Sequence, residues 1–143
     1  NFAKKNNIKY IYINYKNVDK AEDKIIIILK KHNIDFICLA GFMKILSNKI
    51  INIYKNKILN IHPSLLPKYK GLDTHKRVIL NKEKFTGCTV HIVTSKLDSG
   101  KIILQRKIKI LKNDSEKSLS KRLLKIENQI YPRAVRKFAI ANL

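Results

Sequence analysis

Glycine stands at only four of 143 positions, 41, 71, 87 and 100. None of the four opens a helix after a strand, so these residues hold no glycine-rich turn that cradles phosphate on backbone N–H groups. Cysteine occurs twice, at Cys38 and Cys88, which excludes a disulfide framework and a Cys/His zinc spacing. Each lies in an apolar, strand-like run and is expected to be a buried free thiol. No apolar run approaches the roughly eighteen residues of a membrane span, and no signal-peptide pattern is present. A cytoplasmic protein with no membrane partner is expected. Acidic residues are scarce: 10 Asp plus Glu face 31 Lys plus Arg, a formal net charge of +21.

So basic a chain invites a nucleic-acid reading. The lysines, however, are interleaved with Ile and Asn along every segment. That distribution argues for a solvated surface rather than a polyanion site, while small anionic substrates would still be attracted. Hydrophobic residues make up 45% of the chain, which excludes a disordered tail. The length fits one domain spanning residues 1–143.

The elements alternate. Residues 1–7 read as the end of a helix. Ile8–Ile13 alternates apolar and aromatic side chains and is expected to be a strand. Asp19 is expected to cap a helix to about Lys31, much of it buried around Ile25–Leu29. Ile34–Ala40 reads as a central parallel strand, ended by Gly41. Ser47 caps a short helix to Tyr54, and Lys57–Ile61 is the next strand. This rhythm predicts an α/β fold with a doubly wound, mostly parallel sheet. Thr74–Asn81 reads as a helix. Phe85–Val93 and Lys101–Ile110 read as an antiparallel pair at one side of the sheet. A last helix starts at Asp114 or Ser115, and Pro132 is expected to kink or interrupt it, with continued helix to Ala141 open beyond it.

The chain is organised around LNIHPSLLPKYKG, Leu59–Gly71. Asn60 and His62 are two apart, so a strand pleat carried through them places both on one face. An amide can donate to a carbonyl oxygen that gains negative charge, and an imidazole can give or take a proton. Taken alone, a histidine after a strand is most often a structural group. Asp98, in TSKLDSG, gains meaning if the sheet brings its loop beside His62, where its carboxylate would orient the ring and keep it cationic. Asn, His and Asp without a Ser or Cys nucleophile point to a substrate that brings its own nucleophile. Acyl or formyl transfer and simple hydrolysis both remain open at this point.

Four blocks carry a resemblance: LAGFMKILS at Leu39–Ser47, LNIHPSLLPKYKG, TGCTVHIVTSKLDSGKIILQ at Thr86–Gln105 and IENQIYP at Ile126–Pro132. In their order and spacing the chain resembles the phosphoribosylglycinamide formyltransferase family of folate-dependent enzymes. The resemblance implies a Rossmann-like formyltransferase fold. It also implies transfer of the formyl group of 10-formyltetrahydrofolate to the amine of glycinamide ribonucleotide in purine biosynthesis, with no metal. By position, His62 matches the general acid, Asn60 the amide that binds formyl and oxyanion, and Asp98 the carboxylate that keeps the histidine charged and orders water. Met43, Lys44, Ile45 and Leu46 match the wall of the folate pocket. Thr94, Ser95, Lys96, Leu97 and Asp98 match the loop over the pteridine. Leu124, Lys125, Ile126 and Glu127 match the segment that meets the glycinamide substrate. His91 matches a strand histidine, read as structural support.

Two departures stand out. Asp73 occupies a position that is commonly His in the family, with His75 retained. The opening strand and phosphate-binding turn have no counterpart, so the chain resembles the C-terminal two-thirds of the enzyme. It is expected to act poorly alone and, with a sheet edge exposed, to be a monomer or a weak homodimer. Another formyl-folate enzyme, such as formyltetrahydrofolate deformylase, is the nearest alternative. A basic nucleic-acid-binding protein that has lost catalysis is the more distant one.

Overall fold

The computed structural model describes residues 2–142. Two compact units divide the chain, Asn1–Ile34 and Asp35–Leu143.

The first unit is helical. The helix end expected over residues 1–7 is α1 (Phe2–Lys5), with Asn1 outside the described residues. Helix α2 spans Val18–Lys31, and its cap is Asn17, whose side chain accepts from Lys20 N at 2.9 Å. Asp19, expected as the cap, lies instead in the first turn, where its carboxylate complements the helix dipole. The Ile25–Leu29 run is less buried than expected. Ile26 is buried, but Ile27 is 67% exposed, because one residue of helix turns a side chain by about 100°. The strand expected over Ile8–Ile13 does not form, and Tyr10, Ile11 and Tyr12 are exposed. Local β-propensity does not suffice where a segment has no ladder partner.

The second unit holds a four-stranded sheet of order β1-β2-β3-β4. Strand β1 (Ile37–Leu39) runs parallel to β2 (Ile58–His62), and helix α3 (Asn48–Ile53) lies between them in the chain. Strand β3 (Phe85–Ile92) is antiparallel to β2, and β4 (Ile102–Lys109) is antiparallel to β3, which forms the expected antiparallel pair. The sheet is therefore mixed, with one parallel pairing and two antiparallel ones. β1 is shorter than expected and lies at the edge, not the centre, of the described sheet. Cys38 is accordingly exposed rather than buried, while Cys88 in β3 is fully buried and burial pushes its thiol pKa up to about 12.

Alternation along the strands sorts the two faces. Leu59, Ile61, Cys88, Val90, Ile92 and Leu104 meet α5 (Glu116–Asn142) through Leu123, Ile130, Ala134 and Phe138. Helix α5 begins with reciprocal bonds: Ser118 N donates to Ser115 Oγ at 3.2 Å and Ser115 N to Ser118 Oγ at 2.9 Å. It continues through Pro132 rather than breaking there. A proline inside a helix costs about 3 kcal/mol. Burial of Ile130 and Phe138 on either side contributes roughly 2 kcal/mol each and offsets it. Tyr131 adds a tie, its hydroxyl 2.6 Å from the Leu39 carbonyl and 3.3 Å from that of Leu59. The opposite face of the central strands carries Asn60, His62, Thr89 and His91, and it is the polar one.

Candidate active site

The β2–β3 register places Asn60 opposite His91 and His62 opposite Thr89. Beyond His62 the chain leaves the sheet through His62–Gly71, and side chains from β3 and β4 hold that loop. The fully buried Thr89 hydroxyl donates to the Ser64 carbonyl at 2.6 Å and accepts from Leu66 N at 3.2 Å. Gln105 Nε2 donates to the Leu66 carbonyl at 3.1 Å and to Thr89 Oγ1 at 2.8 Å. Ser64 Oγ closes the turn onto the Lys68 carbonyl at 2.7 Å.

These bonds deliver the Tyr69 carbonyl to His62. His62 Nε2 lies 2.8 Å from that oxygen. Tyr69 has a left-handed backbone, φ 56°, and its side chain is clamped. Its hydroxyl donates to Glu83 at 2.9 Å and accepts from Asn81 at 3.0 Å, with the Arg77 guanidinium 5.3 Å from the ring centroid. The Tyr69 bond, aided by Lys68, holds the Glu83 carboxyl below its ordinary pKa.

Asp98 comes from the loop between β3 and β4 and reaches both imidazoles. Oδ2 is 3.4 Å from His62 Nδ1 and accepts from Gly71 N at 2.8 Å, while Oδ1 is 3.5 Å from His91 Nε2. His62 is 6% exposed and Asp98 9%, so these charges meet with little solvent screening. Both nitrogens of His62 face groups that only accept, a carbonyl and a carboxylate. A ring carrying a hydrogen on each nitrogen would donate to both. The structure thus joins Asn60 and His62, neighbours on β2, with Asp98, which is distant in sequence, in one cluster. Among the described residues no group of three or more His, Cys, Asp or Glu is arranged to hold a metal ion.

The other sequence-predicted residues do not all lie on the face of this cluster. Met43 and Ile45, on the segment after β1, are 79% and 74% exposed, whereas Leu46 is buried. Lys44 is exposed beside them. Thr94, Ser95, Lys96 and Leu97 form the loop that ends in Asp98, with Leu97 53% exposed. Leu124, Lys125, Ile126 and Glu127 lie on α5, which covers the opposite face of the sheet. Ile126 packs into the core, Leu124 and Lys125 are exposed, and burial raises the pKa of the Glu127 carboxyl. Asp73 precedes α4 (Thr74–Leu80) with φ 55°, and among the described residues it makes no side-chain cap bond and the buried His75 Nδ1 has no hydrogen-bond partner.

Sequence reasoning left His91 as support and did not single out Thr89, Gln105 or the Tyr69 carbonyl. The one signal available was the alternation of Thr89 and His91 in Phe85–Val93. It shows that they share a face, but not which partners they meet.

A formyl transferase family model matches residues 1–135. Phosphoribosylglycinamide formyltransferase of Escherichia coli is 45% identical over 109 residues, which are 76% of this chain and 51% of that protein. The trifunctional purine biosynthetic protein adenosine-3 of Chironomus tentans is 44% identical over 108 residues, 76% of this chain and 8% of that protein. The chain therefore spans about half the length of the E. coli relative. The crystal structure of glycinamide ribonucleotide transformylase 1 from Symbiobacterium toebii superposes with a TM-score of 0.92 at 34% identity, covering 97% of this chain and 67% of that one. The Rossmann-like sheet, the cluster on its polar face and these likenesses agree: the chain belongs to the formyl transferase family, in its phosphoribosylglycinamide formyltransferase group.

Proposed function

We propose that this chain supplies the catalytic part of a cytoplasmic enzyme that moves the formyl group of 10-formyltetrahydrofolate to the amine of glycinamide ribonucleotide. The observation that carries this reading is the His62–Asp98 ion pair with Asn60 on the same sheet face. The substrate amine attacks the formyl carbon, and the carbonyl electrons move to oxygen. Asn60 Nδ2–H and the His62 Nε2–H now on the Tyr69 carbonyl are the donors that meet this oxyanion. Asp98 stays on Nδ1 and holds the ring charged. Collapse of the intermediate breaks the carbon–N10 bond, and the proton lost by the amine passes to N10, through water or the imidazole. Met43, Ile45 and Leu97 offer exposed apolar surface to the pteridine, and the resemblance assigns Glu127, on α5, to the ribonucleotide.

The test uses a chimera that joins this chain to the remaining part of the E. coli relative. His62→Ala and Asp98→Asn each lower turnover by about a hundredfold or more. Near-normal turnover in either removes the assigned role. Formate released without an amine acceptor would place the protein among deformylases instead.

A further inference from the structure

Asp98 touches two imidazoles, and they are not equivalent. His91 is 2% exposed, and its Nδ1 lies 3.0 Å from the Ile92 carbonyl oxygen. A carbonyl only accepts, so Nδ1 carries a hydrogen. Nε2 lies 3.5 Å from Asn60 Nδ2 and 3.5 Å from Asp98 Oδ1. A second hydrogen there would create a second imidazolium on the carboxylate that already serves His62. One carboxylate offsets one positive charge, and the excess would be stranded in a desolvated site. Burial pushes His91 below its ordinary pKa against the opposing pulls of the Ile92 carbonyl and Asp98, and the neighbouring His62 adds a smaller push in the same direction as burial. The charge belongs to His62, and Nε2 of His91 is left as a lone pair.

That lone pair decides which way the Asn60 amide points. If Asn60 turned its oxygen to Nε2, a second acceptor would join Asp98 Oδ1 against that lone pair with no donor to offset them, and an acceptor would replace the donor needed at the oxyanion. We propose that His91 is a positioning residue: tied by the Ile92 carbonyl as the Nδ1–H tautomer, it accepts one Asn60 Nδ2 hydrogen and so holds the other for the substrate oxygen. The assignment of that second hydrogen rests on the formyl-transfer reading. The tautomer and the amide orientation do not.

The experiment takes the uniformly 15N-labelled chain at pH 7 and reads the His91 ring by long-range 1H–15N correlation. The expected result is a protonated Nδ1 and an unprotonated Nε2. A neutral ring protonated at Nε2, or an imidazolium, overturns the proposal. A kinetic arm uses the chimera. His91→Phe keeps a ring but removes the acceptor, and kcat falls about a hundredfold, the scale of one oxyanion donor. Combined with Asn60→Ala, it lowers kcat no more than about threefold beyond Asn60→Ala alone, because both remove the same donor. Full multiplication of the two losses overturns the proposal. An inactive unsubstituted chimera would count against the functional reading, and the tautomer would then decide this inference alone.

Discussion

His62 Nδ1 and Asp98 Oδ2 meet at 3.4 Å, both all but sealed from solvent. Asp98 is further fixed by the Gly71 N–H at 2.8 Å, so its oxygen is shared between ring and backbone. Asp98→Asn keeps the shape but replaces an acceptor-only group with one that can turn an N–H toward the ring. In a long-range 1H–15N experiment on the chain, this variant should lose the doubly protonated His62 signature at neutral pH. Retention of that signature would mean that the Tyr69 carbonyl alone holds the charge.

Thr89 should matter as much for geometry as for stability. Its hydroxyl makes three hydrogen bonds, to Ser64, Leu66 and Gln105, with no solvent to replace them. Thr89→Val is close in shape but leaves these partners unsatisfied. We expect a loss of about 2–3 kcal/mol in urea unfolding, together with shifted His62 resonances as the loop relaxes. A variant as stable as the parent would show that the loop is held mainly by its own turn.

Gly87 is irreplaceable for a simple steric reason. A Cβ there would lie 2.0 Å from the Arg106 carbonyl oxygen and 2.6 Å from Leu65 Cδ2. The first neighbour is ladder backbone and cannot yield without parting β3 from β4. Gly87→Ala should cost at least about 1–3 kcal/mol, read as a lower melting temperature. An unchanged melting temperature would contradict the β3–β4 register.

Glu127 gives a pH signature. Its ordinary pKa is 4.5, and burial raises it in the folded chain. In the window from 4.5 upward to the raised value, the folded state keeps a proton that the unfolded state has released. Stability is therefore full below 4.5 and declines as pH rises through that window. Glu127→Gln removes the decline. The variant should match the parent at pH 4 and melt higher at pH 7, while losing affinity for the ribonucleotide. A lower melting temperature at pH 7 would mean that the charged carboxylate has a stabilising partner.

The sequence by itself determined most element positions in the second unit, because period-two and helical spacing are local properties. It placed Asn60 and His62 on one face for the same reason, and the four motif blocks carried the family. Local signals misled where partners decide the outcome. Ile8–Ile13 has strand composition but no ladder, and Cys38 sits in an apolar run at a sheet edge. Only the tertiary structure put Asp98 between two histidines and the Tyr69 carbonyl on His62. Those contacts depend on strand register and loop closure, which join residues distant in the chain. A proton's place on an imidazole is set by what each ring nitrogen faces, and those neighbours come from the fold.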